Sequence, residues 1–152
     1  MDKVQKFLAH AVQLEREAAR RFEELAAAMQ TEGNTDLRIF FSRMAHYSRL
    51  HLAEAMKRGA FRDVPTLMPH EYEWPDGVSP EVADWAGVDA MMDTHAALTL
   101  ALESERRGHA YYAALALTAT DPEVRLLASE FAAEEAEHVA EIERLLAAHT
   151  GG

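Results

Sequence analysis

Apolar residues along most of this chain recur at alternating steps of three and four, the period of one face of an α-helix. Four such seams are legible. The first passes through Val4, Leu8, Ala11, Glu15, Ala18, Phe22, Leu25 and Met29 and predicts a helix over about 2–30. The second, Leu37, Phe41, Met44, Ser48, His51 and Ala55, predicts one over 34–58. Met91, Thr94, Leu98, Ala101, Glu105, Gly108, Tyr112, Leu115 and Ala119 form the third, over 89–119. Val124, Leu127, Phe131, Glu135, His138, Ile142 and Leu145 form the fourth, over 121–149. The stop and start signals agree. Gly33-Asn34 ends the first helix, with Asn34, Thr35 or Asp36 able to cap the second, Gly59 ends the second, and Asp121-Pro122 reads as an N-cap followed by proline at the first helical position.

Residues 60–88 break the pattern. Four of the five prolines and both tryptophans, Trp74 and Trp85, fall there, and Ser79-Pro80-Glu81 up to Gly87 suggests one short helix. Two tight hairpins joined by one long connection predict an all-α, single-domain, ferritin-like four-helix bundle over 1–152. The tryptophans predict that the crossover packs on the bundle.

Each seam has a polar interruption near its middle: Glu15, Ser48 with His51, Glu105, and Glu135 with His138. A lone buried carboxylate costs several kcal/mol unless paired or bound to a cation. Three at matching depth would repel one another and raise each other's pKa values, and a metal ion removes that penalty. An internal repeat strengthens the reading. Glu15-x6-Phe22-x2-Leu25 recurs 90 residues later as Glu105-x6-Tyr112-x2-Leu115, and Phe41-x2-Met44-Ala45-x5-His51 recurs 87 residues later as Ala128-x2-Phe131-Ala132-x5-His138. Two similar hairpins facing each other make a pseudo-symmetric site between them.

A dinuclear carboxylate site in such a bundle takes one Glu from each of two helices and Glu-x-x-His from each of the other two. Positions i and i+3 share a helix face, so both side chains reach one ion. Glu135-x-x-His138 satisfies the spacing; on the second helix the corresponding residue is Ser48. The candidate ligands are therefore Glu15, His51, Glu105, Glu135 and His138, with Tyr47, Ser48 and Tyr112 as neighbours that can donate hydrogen bonds. This oxygen–nitrogen set suits iron or manganese, and zinc is compatible. Glu17 and Glu103 lie ~200° around their helices from the seam and are expected in solvent. Glu134 stands four residues before His138 and can also reach its face, but repeat and seam favour Glu135. His46 lies off the seam, and His10, His70, His95, His109 and His149 show no ligand spacing.

Composition narrows the chemistry. Fifteen Lys and Arg against 26 Asp and Glu give a net charge of −11, which excludes a binder of the phosphate backbone of nucleic acid. With no cysteine, disulfides, thiolate zinc sites, iron–sulfur clusters and thiol catalysis are all excluded. No apolar run approaches the roughly 20 residues needed to cross a bilayer, so no membrane partner is expected. Met1-Asp2-Lys3-Val4 does not begin a secretory signal pattern, and a cytoplasmic location is expected.

The residues resemble the rubrerythrin-like branch of the ferritin-like superfamily over essentially the whole chain. The strongest segments are Asp121-Pro122-Glu123-Val124-Arg125 leading into Phe131-Ala132-Ala133-Glu134-Glu135-Ala136-Glu137-His138-Val139, Leu14-Glu15-Arg16-Glu17-Ala18-Ala19-Arg20-Arg21-Phe22, and Leu102-Glu103-Ser104-Glu105 through Tyr112. The resemblance implies Glu15 and Glu105 as terminal ligands, Glu135 as a bridge, and His51 and His138 as the histidines of a di-iron centre. It also implies reduction of peroxide or oxidation of ferrous iron, and a homodimer. The chain departs from the family pattern at Ser48, where a second bridging glutamate is usual, and at Gly108, where peroxidase members carry an extra glutamate. It also lacks a cysteine-bearing rubredoxin module, so turnover would need an external electron-donor protein. The alternative reading is a non-catalytic bundle holding one structural ion or a degraded site. Against it stands a rescue of the dinuclear site, in which Glu71, Glu73 or Asp76 of the crossover inserts a substitute carboxylate.

Overall fold

A computed structural model of the chain describes residues 2–58, 67–74 and 92–151. Four long helices make up most of it: α1 (Lys3–Glu32), α2 (Thr35–Arg58), α3 (Thr94–Thr118) and α4 (Pro122–Gly151). Their ends are set by local chemistry. Asp2 accepts from the Gln5 amide while the Gln5 side chain returns to the Asp2 amide, a closed capping box. Gly33 ends α1 at φ 83°, a left-handed conformation that glycine adopts without a Cβ penalty. Asn34 then accepts from the Leu37 amide at 3.1 Å and starts α2. Asp121 accepts from the amides of Glu123 and Val124, with Pro122 at the first helical position of α4.

The third helix starts later than its apolar pattern predicts. Met92 and Asp93 are not helical, and Asp93 caps α3 by accepting from the Ala96 amide at 2.8 Å. An aspartate that satisfies an orphan amide there terminates the helix where periodicity alone would continue it. Residues 89–91 and the predicted short helix at 79–87 lie outside the described residues.

The main packing is α1 on α2 and α3 on α4, with lighter contacts from α1 to α3 and α4. Two hydrogen bonds fix how the hairpins meet. Asn34 Nδ2 donates to Thr94 Oγ1 at 3.0 Å, and Lys3 Nζ donates to Thr120 Oγ1 at 2.6 Å. The end of α1 therefore lies beside the start of α3, and the start of α1 beside the end of α3. The two helices are antiparallel, and the connection from Arg58 to Asp93 joins opposite ends of the bundle. This is the ferritin-like order.

Part of that connection, residues 67–74, lies on the bundle as a strap containing one 3-10 turn, Pro69–Glu71. Trp74 meets the His10 ring at 4.8 Å between centroids and Tyr111 at 5.3 Å, so the crossover packs here as its aromatic content predicts. His10, which shows no ligand spacing in the sequence, is buried and anchors the strap. Its Nδ1 lies 2.8 Å from the Lys6 carbonyl, and its Nε2 accepts the Glu73 amide at 2.8 Å.

The core is divided into two lobes. One gathers Phe22, Leu25, Met29, Phe41, Met44, Leu98 and Ile142 near the α1–α2 turn. The other gathers Phe7, Leu8, Leu14, Tyr112, Leu127 and Phe131 at the opposite end. The polar seam residues lie between them. Among the described residues, no helix is long and apolar enough to cross a membrane.

Candidate metal centre

Each of the four helices delivers its polar seam residue to the same level of the bundle. Glu15 and Glu105 are 1% exposed, Glu135 and Ser48 2%. His51 and His138 are largely buried, and their rings stack 5.4 Å apart at 12°. One ligand atom each from Glu15, His51 and Glu135 lie within 4.8 Å of one another, and so do one each from Glu105, Glu135 and His138. Glu135 belongs to both groups. All five sequence-predicted ligands thus converge, with the residue expected to bridge standing between two three-ligand sets.

In each set the terminal glutamate and its histidine stand farther apart than a hydrogen bond. His51 Nδ1 stands 3.7 Å from Glu15 Oε1, and His138 Nδ1 stands 3.7 Å from Glu105 Oε2. Both His51 Nδ1 and Glu105 Oε2 are buried without a hydrogen-bond partner. Orphaned buried polar atoms normally cost about 1–3 kcal/mol each. A gap of this size can be spanned by one cation with nitrogen and oxygen bonds of about 2.0–2.2 Å. The donor set, three carboxylates and two imidazoles without sulfur, fits iron, manganese or zinc.

Burial and neighbouring charge pull the groups of the belt in different directions. Burial pushes Glu15 above the ordinary carboxylate range, with His51 only partly opposing it. Burial also acts to raise Glu105, but hydrogen bonding from Glu135 and the neighbouring His138 outweigh it and hold Glu105 low. His51 is raised: burial alone would lower it, and Glu15, with help from Glu134, overcomes that. Metal binding by histidine and carboxylate ligands requires that any protons they carry be released.

The neighbours divide. Tyr112 is fully buried, and its hydroxyl donates to Glu15 Oε1 at 3.3 Å while its ring stacks on Phe131. Tyr47 is 40% exposed and lays its ring against His138. Ser48 is buried where the repeat would place a second bridging carboxylate. The crossover supplies no substitute from its described residues. Glu71 accepts the Met68 amide of its own turn, Glu73 pairs with Lys6 at the surface, and Asp76 lies outside the described residues. Glu17 is half-buried and takes the Gln13 amide at 2.7 Å, where the helical wheel predicts solvent.

One residue escapes the sequence reading. Glu134 places Oε2 3.0 Å from His51 Nε2, across the bundle. Periodicity along one helix cannot report such a contact. The repeat holds a trace of it, since an offset of 87 pairs Glu134 with Tyr47, and each residue meets the other hairpin's imidazole.

No family model and no curated protein matches the chain. Among solved structures, it is similar to an uncharacterized conserved protein from Magnetospirillum magnetotacticum MS-1. The two are 40% identical, the match covers 95% of this chain and 94% of the other, and the TM-score is 0.78.

Proposed function

We propose that this chain, which belongs to the same protein family as that Magnetospirillum protein, is a rubrerythrin-like metal protein whose bundle holds two iron ions. The observation that carries this reading is the sharing of Glu135 by two buried three-ligand sets. Glu15 and His51 would hold one ion, Glu105 and His138 the other, with Glu135 between. Such a centre, when loaded with iron, supplies electron-transfer chemistry toward peroxide or ferrous iron. The protein's own part is to bind, orient and desolvate. The two apolar lobes keep water from the belt, Tyr112 steadies the Glu15 carboxylate, and Glu134 accepts the outer N–H of His51. With no cysteine in these 152 residues, the electrons would come from a donor group outside them.

Ser48 favours a second reading. With one bridging carboxylate in place of two, the belt suits a single structural ion, without redox turnover. Metal content per chain, measured by plasma mass spectrometry on protein purified without oxygen, separates the two. The proposal expects about two iron ions per chain and their loss in Glu135→Ala/His138→Ala. A content of one ion supports the structural reading, and none in either protein contradicts both.

A further inference from the structure

The two hairpins repeat, so each residue around the belt has a counterpart, and the counterparts differ in chemistry. Four residues before each imidazole stands a side chain that crosses to the other hairpin. From α4, Glu134 brings a carboxylate oxygen 3.0 Å from His51 Nε2; from α2, Tyr47 brings an aromatic ring to His138, 6.1 Å between centroids. Seven residues after each terminal glutamate stands an aromatic. Tyr112 follows Glu105 and donates its hydroxyl across the bundle to Glu15, while Phe22 follows Glu15 and has no hydroxyl to give. Both polar supports fall on Glu15 and His51. Among the described residues, no carboxylate meets His138 Nε2.

We infer that the two ion positions are unequal: the one formed by Glu15, His51 and Glu135 is tighter and fills first, with Glu134 and Tyr112 as its positioning residues. The inference rests on the metal reading above. A carboxylate only accepts, so Nε2 of His51 carries the proton and the buried Nδ1 presents its lone pair to the ion. An outer carboxylate on a ligating histidine fixes its ring and raises its basicity, and removing one typically costs about 10–100-fold in metal affinity. Charge separates the two steps whichever position fills first. Three carboxylates hold the first divalent ion with negative charge to spare, whereas a second ion leaves an excess of positive charge that Ser48 cannot offset. A cleft of about 340 Å³ lined by Tyr47, His51, Glu54, Glu130 and Glu134 also opens on the His51 side.

The test is anaerobic titration of the full-length metal-free chain with cobalt(II), followed by calorimetry and by the visible absorption of the bound ion. The wild type should fill in two steps, the first at least about tenfold tighter. Glu134→Ala should weaken the first step by about 10–100-fold and leave the second in place. Glu134→Gln, which keeps an oxygen for the Nε2 proton but loses the charge, should fall between. His138→Ala should retain one ion at the wild-type first-step affinity, and His51→Ala should retain only the weaker one. Tyr47→Glu, which gives His138 the outer carboxylate it lacks, should tighten the second step. A merely structural role for Glu134 would shift the unfolding of the metal-free chain and move both steps together.

Two steps of equal affinity, a Glu134→Ala variant that weakens both or neither, or loss of the tight ion in His138→Ala would overturn this inference while leaving the metal reading intact. A wild type that takes up no cobalt would remove both.

Discussion

Phe22 and Phe41 stack at one end of the bundle, Tyr112 and Phe131 at the other, and each set is satisfied by its own neighbours. Between them, Glu15, Glu105 and Glu135 are as deeply buried, yet His51 Nδ1 and Glu105 Oε2 lack hydrogen-bond partners, and burial pushes the Glu15 carboxyl above its ordinary range. The same four helices build both regions. Apolar lobes of this kind are stabilised by the area they remove from water, whereas the belt gains nothing from burial until something positive enters it. A protein selected for stability alone would carry the lobes straight through. The belt is therefore where the fold forgoes the stability that apolar side chains would supply.

That contrast can be broken at either side. In the lobes, Phe41→Ala should cost about 3–5 kcal/mol, measured by urea unfolding, and should cost the same with or without metal. In the belt, Glu135→Leu should behave oppositely. Removing the surplus carboxylate should leave the metal-free chain as stable as the wild type or up to about 4 kcal/mol more so. The variant should also lose the gain that metal confers, about 2.7 kcal/mol for the wild type at an ion concentration 100 times Kd. If Glu135→Leu destabilises the metal-free protein as Phe41→Ala does, the belt is ordinary packing.

The smallest effect sharpens the comparison with a polar residue that lacks nothing. His10 is buried like the belt residues, but both its nitrogens are matched, one by the Lys6 carbonyl and one by the Glu73 amide. Burial lowers its pKa, and protonating Nε2 would remove the acceptor that the Glu73 amide needs. The unfolded chain therefore binds the proton more readily than the folded one. The contribution of His10 is complete above its ordinary pKa of 6.5 and is lost as pH falls below it. We expect about 1 kcal/mol of stability to disappear between pH 7.5 and pH 5 in the wild type relative to His10→Leu. Equal pH dependence in the two proteins would mean that the strap does not rely on this bond.

How much of this is legible in the sequence follows from the range of each interaction. The helices and their caps are local, so Asn34 and Asp121 declare themselves within three residues of the amides they serve. The five candidate residues of the belt are legible because a seam interrupted on every helix at one depth is itself a periodic signal. Asp93 was harder to see, since the apolar pattern runs past it and only the capping geometry shows where α3 begins. Glu134 and His10 find their partners in distant segments, at His51 and Glu73. Such pairings depend on the stagger and rotation of packed elements, which no single-helix period encodes.

The account depends most on Glu135 standing between two ions. Crystals of the iron-loaded protein, with diffraction collected at the iron absorption edge, test this directly. The account predicts two anomalous peaks about 3.5–4 Å apart, one beside Glu15 and His51 and one beside Glu105 and His138, with Glu135 in contact with both. A single peak, or peaks only among surface carboxylates, would contradict it.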